Sequence, residues 1–246
     1  MGDLAAHDIA LVRAPNPGPY TLDGTNTWVL GRDPAWVVDP GPALADHLDA
    51  VADEVARRGG AGGIALTHDH ADHVEGAGAL RERLGGPPVA AARHPGDVTL
   101  RGGDAFGPLE AVAIPGHADD HLAFVAGRAC FTGDAVLGVG SVFVAGRLAE
   151  YLAALEDLRG RALAVLCPGH GPPVWDPAAK LDEYLAHRRE REEKLLAALA
   201  DGRRTTDELL DAAWADAPAA LRPAAAATLG AHLAKLRDEG RLPEGM

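Results

Sequence analysis

The sequence predicts an α/β fold: packed β-sheets with helices on their outer faces, followed by an all-helical tail. Three observations carry this. Short apolar runs alternate with helical patterns as far as about Asp176. From Ala178 onward no strand-like run occurs. Apolar residues make up 47% of the 246, enough for a sizeable core.

Taken in order, strands are expected at "TWVLG" near Trp28, "AWVVD" ending at Asp39, "GIALT" ending at Thr67 and "PVAAA" near Val89. Four more follow: "AVAIP" ending at Pro115, "LAFVAG" near Phe124, "ACFTG" ending at Gly133 and "ALAVLCP" ending at Pro168. Helices fall between them. One places Leu44, Leu48, Val51 and Val55 on one face and stops at Gly59, a glycine suited to the residue after a C-cap. "VEGAGALRERLGG" reads as a second and Arg147 to Gly160 as a third. The tail opens with a long helix from Ala178. Another is capped by the Thr205/Glu208 box, and the last has Pro223 in its first turn and Gly240 past its end. The boundary is expected near Asp176, giving units 1–175 and 176–246.

A formal net charge of -13 disfavours nucleic acid as a main partner, because no basic stripe offsets it. No apolar run is long enough to span a membrane. Cys130 and Cys167 lie in apolar runs and read as reduced, buried thiols. With no basic segment leading into an apolar one at the start, they predict a cytoplasmic location.

Four polar clusters each follow a strand. They are "HDHADH" (His68, His70, Asp72, His73), "PGHADDH" (His117, His121), "FTGDAV" (Asp134) and "CPGHGP" (His170). Donors on loops anchored by strands suit a preorganised metal site. Five histidines and two aspartates exceed what one ion needs and fit two. In an extended segment His68 and His70 point the same way, with His117 completing their triad. Asp72 and His73 point to a neighbouring ion with His170, and Asp134, a carboxylate, bridges both. His121 either binds metal or orients the 117–121 loop. His7, His47, His94, His187 and His232 read as surface or capping residues.

In this order and with these gaps, "THDHADH", "PGH", "FTGD" and "PGHGP" resemble the metallo-β-lactamase superfamily of αββα hydrolases. "GTNTWVLG", "VVDPG", "PGHADDH", "AKLDEYLAHRREREEKLL" and "HLAKLRDEGRL" resemble in particular the β-lactamase-like protein 2 family, over nearly the whole chain. The resemblance implies a four-layer αββα sandwich, two zinc ions on the seven residues just given, and a winged-helix-like tail. It also implies that Asp39 stands behind the metal loop.

A bridging hydroxide on two zinc ions would attack a carbonyl carbon or phosphorus, with Asp134 holding the ions and Asp72 accepting the proton. Manganese and iron suit the same N and O donors. No G-x-S-x-G elbow, G-x-G-x-x-G or Walker loop offers another chemistry. The first reading is a hydrolase of a small ester, thioester, lactone or related acyl substrate. The alternative is a metal-dependent single-stranded RNA endoribonuclease. The tail's last helix, "RPAAAATLGAH", offers few groups for phosphates or bases, so the tail reads as a pocket wall or a homodimer contact. A DNA-binding regulator built on the tail is a third reading, and it leaves the donor set without purpose. The apolar loop Leu137–Leu148 is expected to border the pocket. Asn26 either contacts the site or bonds its own backbone.

Overall fold

The structure is a computed structural model and describes residues 2–93 and 96–243. His94 lies outside them. Strands β1 (Ile9–Arg13), β2 (Asn26–Leu30) and β3 (Ala35–Val38) pair antiparallel in that order. Strands β4 (Ala61–Ala65), β5 (Val89–Ala91) and β6 (Val98–Thr99) continue the sheet in parallel from β3. The second sheet runs in the order β11-β10-β9-β8-β7. It comprises β7 (Ala105–Phe106), β8 (Leu109–Ala113), β9 (Leu122–Ala126), β10 (Ala129–Gly133) and β11 (Val165–Pro168). Only the β10–β11 pair in it is parallel.

The strands read as apolar runs because both faces of both sheets are covered. On β2, Trp28 and Leu30 point between the sheets, where Trp28 meets Phe131 edge-on at 6.2 Å. Val29 points outward onto α1 (Ala45–Arg57) and α3 (Ala77–Arg83), with α2 (Ala71–Val74) lying between those helices in sequence. The outer face of the second sheet packs on α4 (Leu148–Gly160) and α5 (Pro177–Ala200), through Tyr151, Leu155, Leu181 and Tyr184. The result is the expected four-layer αββα sandwich.

Helix α5 then leaves the sandwich. Its first half packs there, while Leu195, Ala198 and Leu199 join a separate core with α6 (Thr206–Ala213) and α7 (Arg222–Asp238). The Thr205/Glu208 capping box is formed. Among the described residues no strand follows Pro168.

Three expectations need correction. "VEGAGALRERLGG" is broken at Gly76, which leaves α2 and α3. Strand β1, half-buried at a sheet edge, and the two-residue strands β6 and β7 were not expected. His47 and His232 are buried, not superficial.

Candidate metal centre

All four polar clusters end at the same rim of the sandwich. Their donor atoms form two groups, each with its atoms within 4.8 Å of one another: His68, His70, His117 and Asp134, then Asp72, His73 and His170. In the first, His70 Nδ1 lies 3.0 Å from His68 Nε2 and 3.1 Å from His117 Nε2. In the second, Asp72 Oδ2 lies 3.5 Å from His73 Nε2 and 3.3 Å from His170 Nε2. Asp134 faces both groups. Its Oδ1 is 3.5 Å from His73 and 3.3 Å from His170, and its Oδ2 is 3.6 Å from His117.

The outer nitrogens of four rings are held. His73 Nδ1 reaches Asp39 Oδ2 at 2.9 Å, and His170 Nδ1 reaches the Gly24 carbonyl at 3.2 Å. His117 Nδ1 faces the Phe143 carbonyl at 3.4 Å, and His68 Nδ1 faces Thr67 Oγ1 at 2.9 Å. Carbonyl and carboxylate oxygens only accept, so Nδ1 donates and Nε2 is the nitrogen turned toward the centre. The Thr67 hydroxyl is committed as a donor to Asp39 Oδ2 at 2.7 Å, which gives His68 the same tautomer.

Asp39 therefore anchors two rings and, through its Oδ1, the Thr67 amide at 2.8 Å. It does so from a left-handed backbone conformation, φ 52°, unusual for a non-glycine residue and held by this network. His121 belongs to neither donor group, and its Nδ1 is buried without a hydrogen-bond partner in the protein. Its Nε2 accepts the Asp134 amide at 3.1 Å, which fixes the loop carrying the shared carboxylate. Asn26 neither reaches the donors nor bonds its own backbone. Its amide nitrogen donates to the Pro168 and Gly171 carbonyls at 2.9 and 2.8 Å, bracing the loop of His170. Gly169 sits where a Cβ would fall 2.5 Å from Asp134 Oδ1 and 2.6 Å from the His73 ring.

Burial alone would raise the Asp134 carboxyl, but His73 and His170 hold it well below the carboxylate range. Burial likewise opposes ionisation of Asp72, yet His170 and His73 bring it down to about 2. Burial lowers the His68 and His121 imidazoles well below their ordinary value, and lowers His117 too. In His73 the Asp134 and Asp39 carboxylates outweigh burial and push the ring well above it. His73 Nε2 and Asp134 Oδ1 are buried and have no hydrogen-bond partner in the protein. Orphaned buried polar atoms are costly, and a divalent cation between them would satisfy both. The residues fit a metal.

Residues 205–244 match the β-lactamase-associated winged helix domain. The β-lactamase-like protein 2 homolog of Caenorhabditis elegans is 31% identical over 244 residues, covering 92% of this chain and 82% of that one. The chain belongs to the β-lactamase-like protein 2 family. Thioesterase pkgB of Emericella nidulans is 32% identical over 221 residues, 81% of this chain and 61% of the relative. A metallo-β-lactamase family protein from Thermus thermophilus superposes with TM-score 0.74 at 26% identity, covering 95% of this chain and 94% of that structure. This member of the β-lactamase-like protein 2 family is a metal-dependent hydrolase of the metallo-β-lactamase superfamily.

The family member's donors open into a cavity of about 440 Å³. Loop residues between Leu137 and Ala145 border it, as expected, and α7 contributes Ala224 and Ala227. Two residues near the donors were not singled out from sequence, Thr67 and Thr25, whose hydroxyl donates to Asp72 Oδ2 at 3.2 Å. Each stands inside a quoted motif; Thr67 directly precedes His68, whereas Thr25 adjoins Asn26 and lies 47 positions from Asp72.

Proposed function

We propose that the chain is a dinuclear zinc hydrolase of small acyl substrates: esters, thioesters or lactones. The observation that carries this is one carboxylate, Asp134, turning each of its oxygens to a different group of imidazole nitrogens. In this reading His68, His70 and His117 would hold one cation and Asp72, His73 and His170 the other, with Asp134 within reach of both. The N and O donors suit zinc and also accept manganese or iron. When bound, a pair of such cations supplies Lewis acidity, lowering the pKa of a water and polarising the scissile carbonyl.

The protein's own groups do the rest. Asp39 and Thr67 hold the rings of His73 and His68, and His121 holds the Asp134 loop. Asp72 is the more exposed of the two carboxylates (29% against 10%) and lines the cavity. It takes the proton of the attacking water. Cys130 and Cys167 are no alternative nucleophiles, because burial pushes Cys130 up to about 12 and raises Cys167 well above its ordinary value.

Among the described lining residues of the cavity there is no lysine or arginine, which favours an acyl group over a phosphate backbone. In this reading residues 1–175 carry the chemistry and 176–246 complete the pocket. The free thiols accord with a cytoplasmic setting. No helix among the described residues is long and apolar enough to cross a membrane.

The test pairs elemental analysis of the purified protein with a panel of esters, thioesters and lactones, beside labelled single-stranded RNA. About two metal equivalents per chain are expected, together with acyl hydrolysis that is lost on chelation and in Asp134→Ala. RNA cleavage lost in the same variant, without acyl turnover, would replace this reading with the endoribonuclease.

A further inference from the structure

The cavity in front of the donors is built from three separate segments, and beyond the donors it is almost wholly apolar. The loop after β1 supplies Tyr20 and Leu22, the loop after β10 supplies Val139 and Phe143, and α7 supplies Ala224 and Ala227. Of the five large apolar side chains exposed among the described residues, three stand at this cavity: Tyr20 at 65%, Val139 at 58% and Leu22 at 37%. Exposed apolar groups gathered at the mouth of a site mark a ligand surface. At about 30 Å³ for a water-sized group, the cavity holds on the order of fifteen heavy atoms, well beyond an acetyl group.

The α7 wall is fixed. The Val144 amide donates to Thr228 Oγ1 at 3.1 Å, tying the loop to α7, and Arg188 of α5 donates to the Val142 carbonyl. Ala225 and Leu229 of α7 point into the tail core, while Ala224 and Ala227 are left for the cavity. Alanine at both positions keeps the space open.

We propose that the site selects an apolar acyl group of about six to ten carbons, and that Ala224 and Ala227 of the tail set its length. This rests on the acyl-hydrolase reading above. The chain packs against Val139, Phe143 and α7, with its carbonyl at the donors.

The experiment uses the zinc-loaded 246-residue chain and N-acetylcysteamine thioesters from acetyl to dodecanoyl, which carry no phosphate. The value of kcat/KM should rise about fourfold per methylene as far as octanoyl, as burial of each group implies, and then level off. Ala224→Phe and Ala227→Phe, made separately and checked by circular dichroism, should lower the octanoyl-to-butanoyl ratio at least tenfold. Titration calorimetry should show octanoate binding at least tenfold more tightly than acetate, with the gap closing in both variants. A flat chain-length profile with measurable acetyl turnover, or ratios unmoved in two folded variants, would overturn the chain-length assignment and leave the hydrolase intact. Absence of turnover for every acyl substrate would remove the hydrolase reading and this assignment with it.

Discussion

His73 at the candidate metal centre and His232 in the tail are both fully buried, yet their surroundings push them in opposite directions. Carboxylates on both sides of His73 overcome burial and raise it well above the ordinary histidine value. Burial takes His232 down to about 4, with Arg188 adding to the effect, and the ring packs edge-on to Trp214 at 5.5 Å. The same contrast extends to the neighbours. The sandwich rim turns the carboxylates of Asp39, Asp72 and Asp134 toward its imidazoles, an arrangement that calls for cations. The tail buries Arg188 and Arg191, held by the Val142 and Ala213 carbonyls and by Asp216, an arrangement that calls for none. A buried histidine therefore signals chemistry only through what surrounds it.

If the rim is the catalytic half of this contrast, losing one of its nitrogens should have the largest effect. His170→Ala should lower kcat/KM by about 10³-fold, the scale seen when a group acting directly on transition-state charge is removed. The rise in melting temperature on adding zinc should shrink with it, whereas a variant that keeps both would place His170 outside the site.

Asp39→Asn sharpens the comparison by leaving every donor in place. Zinc affinity should fall about 10- to 100-fold, as for other groups that orient metal-binding imidazoles, read by competition with a chromophoric chelator. Unchanged affinity would mean that Thr67 alone suffices.

The tail makes the next prediction. The folded pKa of His232 lies near 4, below the unfolded value of about 6.5. Between those values the unfolded chain binds a proton that the folded chain does not. Stability from this group is thus complete above pH 6.5 and is lost as pH falls toward 4, by up to about 3 kcal/mol. His232→Leu should flatten that limb, giving a smaller drop in melting temperature from pH 8 to pH 5 than the parent shows. An equal drop would shift the cause to other groups. The smallest effect belongs to the cap of α6, where Thr205→Ala should cost about 1 kcal/mol in denaturant unfolding and leave zinc binding alone.

Legibility followed the same divide. The strands around Trp28, Phe131 and Cys167 were readable because burial on both faces writes an unbroken apolar run. The clusters at His68, His117, Asp134 and His170 were readable because nothing in core packing favours them. Strand β1 escaped because an edge strand with half-buried residues writes neither a run nor a clean alternation. Asp39 was legible only through the resemblance that "VVDPG" helps to carry, while Thr67 and Asn26 owe their parts to contacts across 28 to 145 positions of chain, which no local pattern records. His232 was misread because its neighbours Trp214 and Arg188 come from other helices.

Helix α5 serves both regions, with Tyr184 in the sandwich and Leu199 in the tail core. Its 24 residues act as a ruler about 36 Å long. One residue inserted at its middle would advance the tail by about 1.5 Å and turn it by roughly 100°. Ala224 and Ala227 would swing away from the donors while every donor kept its place. Spacing within a single helix thus ties the shape of the pocket to a segment that touches none of the donors.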